Sequence, residues 1–245
     1  MSYSIESITE SIGARRMGNA PATIDWLLTD SRSLNFPEET LFFALTTKRN
    51  DGARYIADLY ARGVRNFVLS EESFRLMDNG QLTIDNAMQR DDMQSIVNYL
   101  IVPNPLKALQ KLAEQHRNRF QIPVIGITGS NGKTVVKEWL HQLLSPERAI
   151  IRSPRSYNSQ IGVPLSVWQM NEQSELAIFE AGISEPGEMR ALQNIIKPTI
   201  GILTNIGGAH QENFFSLQEK CMEKLTLFKN CDVVIYNGDD EFVSN

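Results

Sequence analysis

Ile122-Pro-Val-Ile-Gly-Ile-Thr-Gly-Ser-Asn-Gly-Lys-Thr134 runs from an apolar, β-branched tract into a glycine-spaced turn that ends on a lysine and a hydroxyl. From Val124 to Gly129 each residue is apolar, β-branched or glycine, the composition of a strand buried in a parallel sheet. Immediately beyond, Val135, Val136, Trp139, Leu140, Leu143 and Leu144 recur at three- and four-residue spacing. That period predicts an amphipathic helix whose apolar face packs on the sheet while Lys137 and Glu138 stay in water. Strand, glycine loop and helix in this order form the setting of a phosphate-binding loop. Backbone N–H groups of Gly129, Ser130, Asn131 and Gly132 can close around phosphate oxygens, and the helix N-terminus adds partial positive charge. Lys133 reaches β/γ-phosphates, and the Thr134 hydroxyl can ligate Mg²⁺. Ile127 stands where the strict motif has its first glycine, so the loop is a variant with Gly126, Gly129 and Gly132 three residues apart. An ordinary strand-to-helix turn is the alternative, and glycines with a lysine at the tip fit it less well.

Working outward, 245 residues suffice for one large or two modest domains, each with its own core. Hydrophobic content of 42% and charged content of 22% describe a globular protein, and a net charge of −5 argues against a nucleic-acid surface. Met1-Ser-Tyr-Ser-Ile-Glu6 has neither the basic start nor the apolar run of a signal peptide. No stretch approaches the roughly 20 apolar residues of a membrane span. Two cysteines, Cys221 and Cys231, give no disulfide framework and no metal spacing, which suits a reducing cytoplasm.

Residues 1–102 read as a first α/β domain. Ile5, Ile8 and Ile12 mark one face of a helix that ends at Gly13. Ile24 to Leu28, the polar turn Thr29 to Ser33, and a buried strand from Thr40 to Leu45 follow. Asp51-Gly52 starts a helix carrying Ile56, Leu59 and Tyr60; Gly63 stops it, and Val64 to Leu69 returns as a strand, a βαβ-like unit. Asp30-Ser31-Arg32 on its loop could hold a nucleoside diphosphate, with Arg32 suited to bidentate oxygen contacts. A solvated turn with a local salt bridge is the reading that spacing alone favours. Asn104-Pro105 looks like a domain junction and helix start, with Leu106, Leu109, Leu112 and Ala113 in helical period; His116 there reads as a surface or linker residue.

Residues 103–245 read as a parallel-sheet domain that carries the phosphate loop. The strand Leu176 to Phe179 ends on Glu180, and ligands of open parallel sheets bind beyond the carboxyl ends of the strands. Glu180 should therefore project near the phosphate loop, where a carboxylate suits Mg²⁺; a helix-capping acid is the alternative. The strand Thr199 to Thr204 leads to His210 on the same expected rim, either a structural histidine or a metal or phosphate ligand. A helix from Leu217 to Phe228 carries Lys220 and Lys224, solvated by default, and Asp232 to Tyr236 is a further strand. A sheet still adding strands near Asn245 reads as a domain cut before its natural end.

Four motifs taken together, Thr128-Gly-Ser-Asn-Gly-Lys-Thr134, Tyr157-Asn-Ser-Gln-Ile-Gly-Val-Pro164, Glu180-Ala-Gly182 with Pro186-Gly-Glu188, and Thr204-Asn-Ile-Gly-Gly-Ala-His210, resemble the Mur ligase family of peptidoglycan synthesis. Lys137-Glu138 and Ala108-Leu-Gln-Lys-Leu-Ala113 resemble the member that adds D-Ala-D-Ala to UDP-N-acetylmuramoyl tripeptide. Asp30-Ser31-Arg32 and Asp51-Gly52 resemble the UDP-binding domain it shares with the sibling adding the third peptide residue. The resemblance implies a UDP-sugar-binding domain followed by an incomplete ATPase domain, and possession of a further C-terminal domain in the whole protein, in some relatives fused to an alanine racemase. It implies a cytoplasmic enzyme using ATP and Mg²⁺, which phosphorylates the terminal carboxylate of the muramoyl peptide before the amine of D-Ala-D-Ala attacks, with this fragment inactive alone. By the same resemblance Thr134 and Glu180 hold one Mg²⁺, His210 helps hold a second, Lys224 is the lysine carbamylated by CO₂ (Lys220 being its rival), Asn158 lies near substrate or metal, and Ser31 and Arg32 lie near UDP. The sibling ligase, a phosphotransferase or nucleotide switch using the same loop, and a non-catalytic module holding UDP-muramoyl peptide are the alternatives.

Overall fold

A computed structural model of the chain describes residues 1–47, 50–78, 96–208, 213–239 and 243. These divide into two compact units, Met1–Leu112 and Ala113–Asn245. The first opens with β1 (Tyr3–Ser4) and α1 (Ile5–Ile12). The Ser4 side chain accepts a hydrogen bond from Ser7 N–H and caps α1, whose buried face is Ile5, Ile8 and Ile12; Gly13, at φ +67°, closes it. Next come β2 (Arg15–Met17), β3 (Thr23–Ile24), β4 (Trp26–Leu28), β5 (Thr40–Phe43), β6 (Thr46–Thr47), β7 (Asn50–Asp51), α2 (Ile56–Ala61), β8 (Asn66–Ser70), α3 (Glu71–Asp78) and β9 (Asn98–Val102). The main sheet has the order β2-β9-β8-β5-β4; only the β2 edge is antiparallel. The expected βαβ unit is β5-α2-β8. Phe42, Phe67 and Tyr99 pack in its core, Phe67 stacked on Tyr99 with ring centroids 5.8 Å apart. In the loop after β4, Asp30 caps a short 3₁₀ turn, Ser31–Ser33, and pairs with Arg32 (Nη2 to Oδ2, 2.7 Å). Of the two geometries expected there, the observed one is the salt-bridged turn.

Helix α4, Pro105–Arg117, begins in the first unit and ends in the second. Asn104 accepts from Lys107 N–H at 3.0 Å and caps it. The second unit continues with β10 (Val124–Thr128), α5 (Lys133–Leu144), β11 (Ile150–Arg152), α6 (Gly162–Val167), β12 (Leu176–Glu180), α7 (Glu188–Ile196), β13 (Ile200–Leu203), α8 (Leu217–Leu225) and β14 (Val233–Tyr236). Its sheet has the order β11-β12-β10-β13-β14 and is parallel throughout. β10 and β12 are buried at every position, as a central parallel strand covered on both faces requires. Gly201 lets the turn after α8 approach β13: a Cβ there would stand 2.4 Å from the Phe228 ring. Among the described residues no helix is long and apolar enough to cross a membrane.

Two expectations are corrected here. Helix α5 is rotated relative to the apolar pattern: Val136, Leu140 and Leu144 pack on the strands, Val135, Trp139 and Leu143 face solvent, and Lys137 is fully buried. His116 is also buried, against Phe120 and Trp168, with its Nε2 3.0 Å from the Met170 carbonyl oxygen.

Burial pushes the His116 pKa down from 6.5 to about 4. The folded protein therefore holds this ring neutral over a pH range in which the unfolded chain protonates it. Its contribution to stability is complete above pH 6.5 and is lost as the pH falls toward 4, about 3 kcal/mol in all. Urea melts between pH 7 and 4 are expected to show this acid slope, and His116→Gln is expected to flatten it; an unchanged slope would show that the ring does not set it.

Candidate active site

Three strand ends meet at one rim of the second sheet. Register pairs Ile127 with Glu180 and Thr128 with Leu203, so Glu180 at the end of β12 and Thr204 after β13 flank the loop that leaves β10. The loop is tied down by the segment after β13. Asn205 carbonyl oxygen accepts from Ser130 N–H at 2.9 Å, Asn205 Oδ1 accepts from Asn131 N–H at 3.0 Å, and Ser130 Oγ accepts from Gly207 N–H at 2.8 Å. Gly129 (φ +140°) is obligatory: a Cβ would lie 2.0 Å from Thr204 Oγ1. Gly132, at φ +79°, starts α5 without a capping side chain, so the first-turn amides of Lys133 and Thr134 point outward as a helix N-terminus does. Lys133 Nζ folds back onto the Gly129 carbonyl oxygen at 2.8 Å, and burial lowers its pKa.

Glu180 is the carboxylate beneath this loop and has no exposed surface. Its Oε2 accepts from the Thr134 hydroxyl at 3.0 Å and from Asn158 Nδ2 at 3.4 Å. Its Oε1 lies 2.8 Å from Lys137 Nζ in an ionic contact, and among the described residues no hydrogen-bond donor reaches that oxygen. Asn158 is fixed in turn by its carbonyl oxygen, which accepts from Gly182 N–H at 2.7 Å. A Cβ on Gly182 would stand 2.9 Å from Asn158 Oδ1, which explains the glycine of Glu180-Ala-Gly182.

A second set of charged groups reaches the loop from α8. Lys224 on α8 is buried with its Nζ 3.1 Å from the Gly129 carbonyl oxygen, and Lys220 is buried with its Nζ 2.6 Å from that of Gly207. Burial, then the charges of Lys133 and Lys220, push the Lys224 pKa down to about 8. Neither lysine is the solvated helix residue expected by default.

The donor set suits a small hard cation. Thr134 Oγ1 and Glu180 Oε2 are 3.0 Å apart, and the edge of an Mg²⁺ octahedron with bonds of about 2.1 Å is also about 3.0 Å. Among the described residues no cluster of three or more His, Cys, Asp and Glu side chains forms a cation cage. Mg²⁺ is commonly held by one or two protein oxygens, with water and phosphate completing its shell.

The structure thus brings together Gly129, Ser130, Asn131, Gly132, Lys133, Thr134, Asn158, Glu180 and Lys224. Ser31 and Arg32 belong to the other unit, in the exposed turn before β5. His210 lies outside the described residues. Sequence reasoning missed Lys137 as part of this constellation and the tethering by Asn205 and Gly207. The signal for Lys137 was its place one turn after Lys133 and Thr134, whose direction the loop fixes.

Comparison with known proteins gives a family model, curated relatives and solved structures of the same fold. Residues 127–245 match the Mur ligase middle domain. The UDP-N-acetylmuramoyl-tripeptide–D-alanyl-D-alanine ligase of Borreliella burgdorferi is 32% identical over 227 residues, covering 91% of this chain and 47% of that protein. The Bacillus subtilis ligase of the same name is 31% identical over 225 residues, 91% of this chain and 45% of that one. The chain therefore spans about half the length of the curated relatives it matches. Among solved structures, a MurF from Acinetobacter baumannii shares the fold with a TM-score of 0.83 at 24% identity, over 100% of this chain and 50% of that one. The MurF ligase of Thermotoga maritima in complex with ADP gives a TM-score of 0.69 at 25% identity, over 88% of this chain and 46% of that one. Residues 127–245, with their variant phosphate loop and Glu-Ala-Gly strand end, are therefore a Mur ligase middle domain, in a chain similar along nearly its whole length to ligases of that family.

Proposed function

We propose that the protein carrying this chain is an ATP-dependent amide ligase of peptidoglycan precursor synthesis, joining D-Ala-D-Ala to UDP-N-acetylmuramoyl tripeptide. The observation that supports this most directly is the 3.0 Å approach of Thr134 to Glu180 beneath a phosphate loop, in a chain 32% identical to a ligase of that name. Residues 1–102 would serve as the UDP-sugar-binding domain, with Ser31 and Arg32 on the UDP group, and residues 103–245 as part of the ATP-binding domain. Arg32 engages Asp30 through Nε and Nη2 but keeps 88% of its side chain exposed, so the Nη1–Nη2 edge of its guanidinium remains accessible to a diphosphate.

The chemistry begins from a carboxylate, a poor electrophile because its leaving group is oxide. A carboxylate oxygen of the tripeptide attacks the γ-phosphorus of ATP, the P–O bond to ADP breaks, and an acyl phosphate results. The D-Ala-D-Ala amine then attacks the acyl carbon, phosphate leaves, and the ammonium proton is lost. Bound Mg²⁺ would neutralise charge on the transferring phosphoryl group. In this reading Thr134 and Glu180 hold it, and His210 contributes to a second ion. The backbone amides from Gly129 to Thr134 cradle the phosphates, Lys133 exchanges the Gly129 carbonyl for a phosphate oxygen, and Asn158 keeps Glu180 aligned. Positioning and charge stabilisation carry most of the rate.

Lys224 is proposed as the carbamylated lysine. A carbamate forms only from a neutral amine, and a pKa of about 8 leaves a substantial neutral fraction near physiological pH. The product would be an anion beside Lys133 and Lys220.

Phosphate release by the protein is expected to require both UDP-muramoyl tripeptide and D-Ala-D-Ala, and Lys133→Ala is expected to lower kcat by about 10²-fold or more. Release that ignores the sugar nucleotide would instead indicate a phosphotransferase or nucleotide switch. With ¹³C-bicarbonate, a carbamate resonance is expected that disappears in Lys224→Arg. Loss in Lys220→Arg with retention in Lys224→Arg would transfer the role to Lys220.

A further inference from the structure

Lys137 is a buried cation of this rim to which the proposed reaction assigns no part. It has no exposed surface, and neither does its partner Glu180. Its Nζ is 2.8 Å from Glu180 Oε1 and 3.2 Å from Glu138 Oε1, and it donates to the Ser153 carbonyl oxygen at 2.8 Å and to that of Arg155. Ser153 Oγ in turn accepts from Glu180 N–H at 3.2 Å. Helix α5, the exit of β11 and the end of β12 are therefore stitched at one ammonium group.

The charge around Glu180 is one-sided. Lys137 touches it, and Lys133 and Lys220 donate to the Gly129 and Gly207 carbonyl oxygens of the adjoining loop. The other nearby carboxylate, Glu138, is partly exposed and shared with Arg152. A bare divalent cation entering here would meet a carboxylate already neutralised and several positive charges. A polyphosphate brings enough negative charge to reverse that balance.

We propose that Lys137 is a positioning residue that fixes the Glu180 carboxylate under the loop and, by neutralising it, makes the site take its divalent cation only together with a nucleotide's phosphates. The inference rests on the metal reading of Thr134 and Glu180 given above. Lys137 touches neither metal nor nucleotide; it acts through Glu180.

The test is Mn²⁺ binding, read by electron paramagnetic resonance, to the full chain with and without the non-hydrolysable β,γ-imido analogue of ATP. The unsubstituted chain is expected to bind Mn²⁺ with the analogue and roughly tenfold or more weakly without it. Lys137→Met is expected to raise nucleotide-free Mn²⁺ affinity by roughly tenfold or more, Lys137→Arg to stay near the unsubstituted chain, and the double variant Lys137→Met/Glu180→Gln to lose the gain. If Lys137→Met does not fold alone, restoration of its circular dichroism by Mn²⁺, absent in the double variant, reads the same gain, and failure of Mn²⁺ to restore it overturns the proposal. An unchanged nucleotide-free affinity in folded Lys137→Met also overturns it, while the underlying metal reading survives as long as the unsubstituted chain takes Mn²⁺ with the analogue. Absence of any Mn²⁺ binding with the analogue present would sink both.

Discussion

A carboxylate with no exposed surface persists only beside a compensating charge, and the Glu180–Lys137 pair meets that requirement at the point where α5, β11 and β12 converge. Desolvating both ions costs several kcal/mol each, and a packed apolar pair in the same volume is often no less stable. Removing one partner is the damaging change, at about 3–5 kcal/mol for a buried pair. Stability is thus a weak reason for placing two ions here. A charged oxygen ligand has to be held at a fixed distance from a hydroxyl on the neighbouring helix, and that reason does account for the arrangement. The parallel register brings the backbone of Glu180 to the rim, and the ammonium holds the side chain in place once it is there.

Much of this was legible in the sequence because it depends on local pattern. The strand from Val124, the glycines of the loop, the caps at Ser4 and Asn104, and the strand ending on Glu180 follow from periodicity and the conformational demands of glycine, serine and asparagine. Convergence of Glu180 on Thr134 followed from the rule that open parallel sheets gather function at the carboxyl ends of their strands. The loop itself was less legible, since its Ser130 and Asn131 amides are held by Asn205, and its Ser130 hydroxyl by Gly207, from the segment after β13 about 75 residues away in the chain. Nothing in the composition of Asn205-Ile-Gly-Gly208 reveals which donors it will meet.

The two corrections share a physical origin. In α4, His116 continues the row of Leu109, Leu112 and Ala113 at helical spacing, so position implied burial while residue type implied exposure; position prevailed because the Met170 carbonyl oxygen and two aromatic rings could receive the imidazole. In α5, Lys133, Lys137, Leu140 and Leu144 lie along one row, and the loop fixes that row toward the sheet. The more hydrophobic alternative row through Val135, Trp139 and Leu143 was left facing solvent. Hydrophobicity gives the periodicity of a helix, but its rotation about the axis is settled by the most constrained contact, here the anchoring of Lys133 and Thr134.

The same reasoning extends to the lysines of α8. Lys224 is held near the carbonyl oxygen that also receives Lys133, and two cations sharing one acceptor in a buried place repel each other. The depressed pKa of Lys224 expresses that repulsion together with desolvation. Such a cluster can relax if phosphate oxygens draw Lys133 away, or if one amine gives up its charge. Conversion of Lys224 to an anion would change the local charge by two units and turn its repulsion from Lys133 and Lys220 into attraction. The buried cations around a loop built to surround phosphate are the counter-charges that a polyanion needs, and its binding offsets their mutual repulsion at its source.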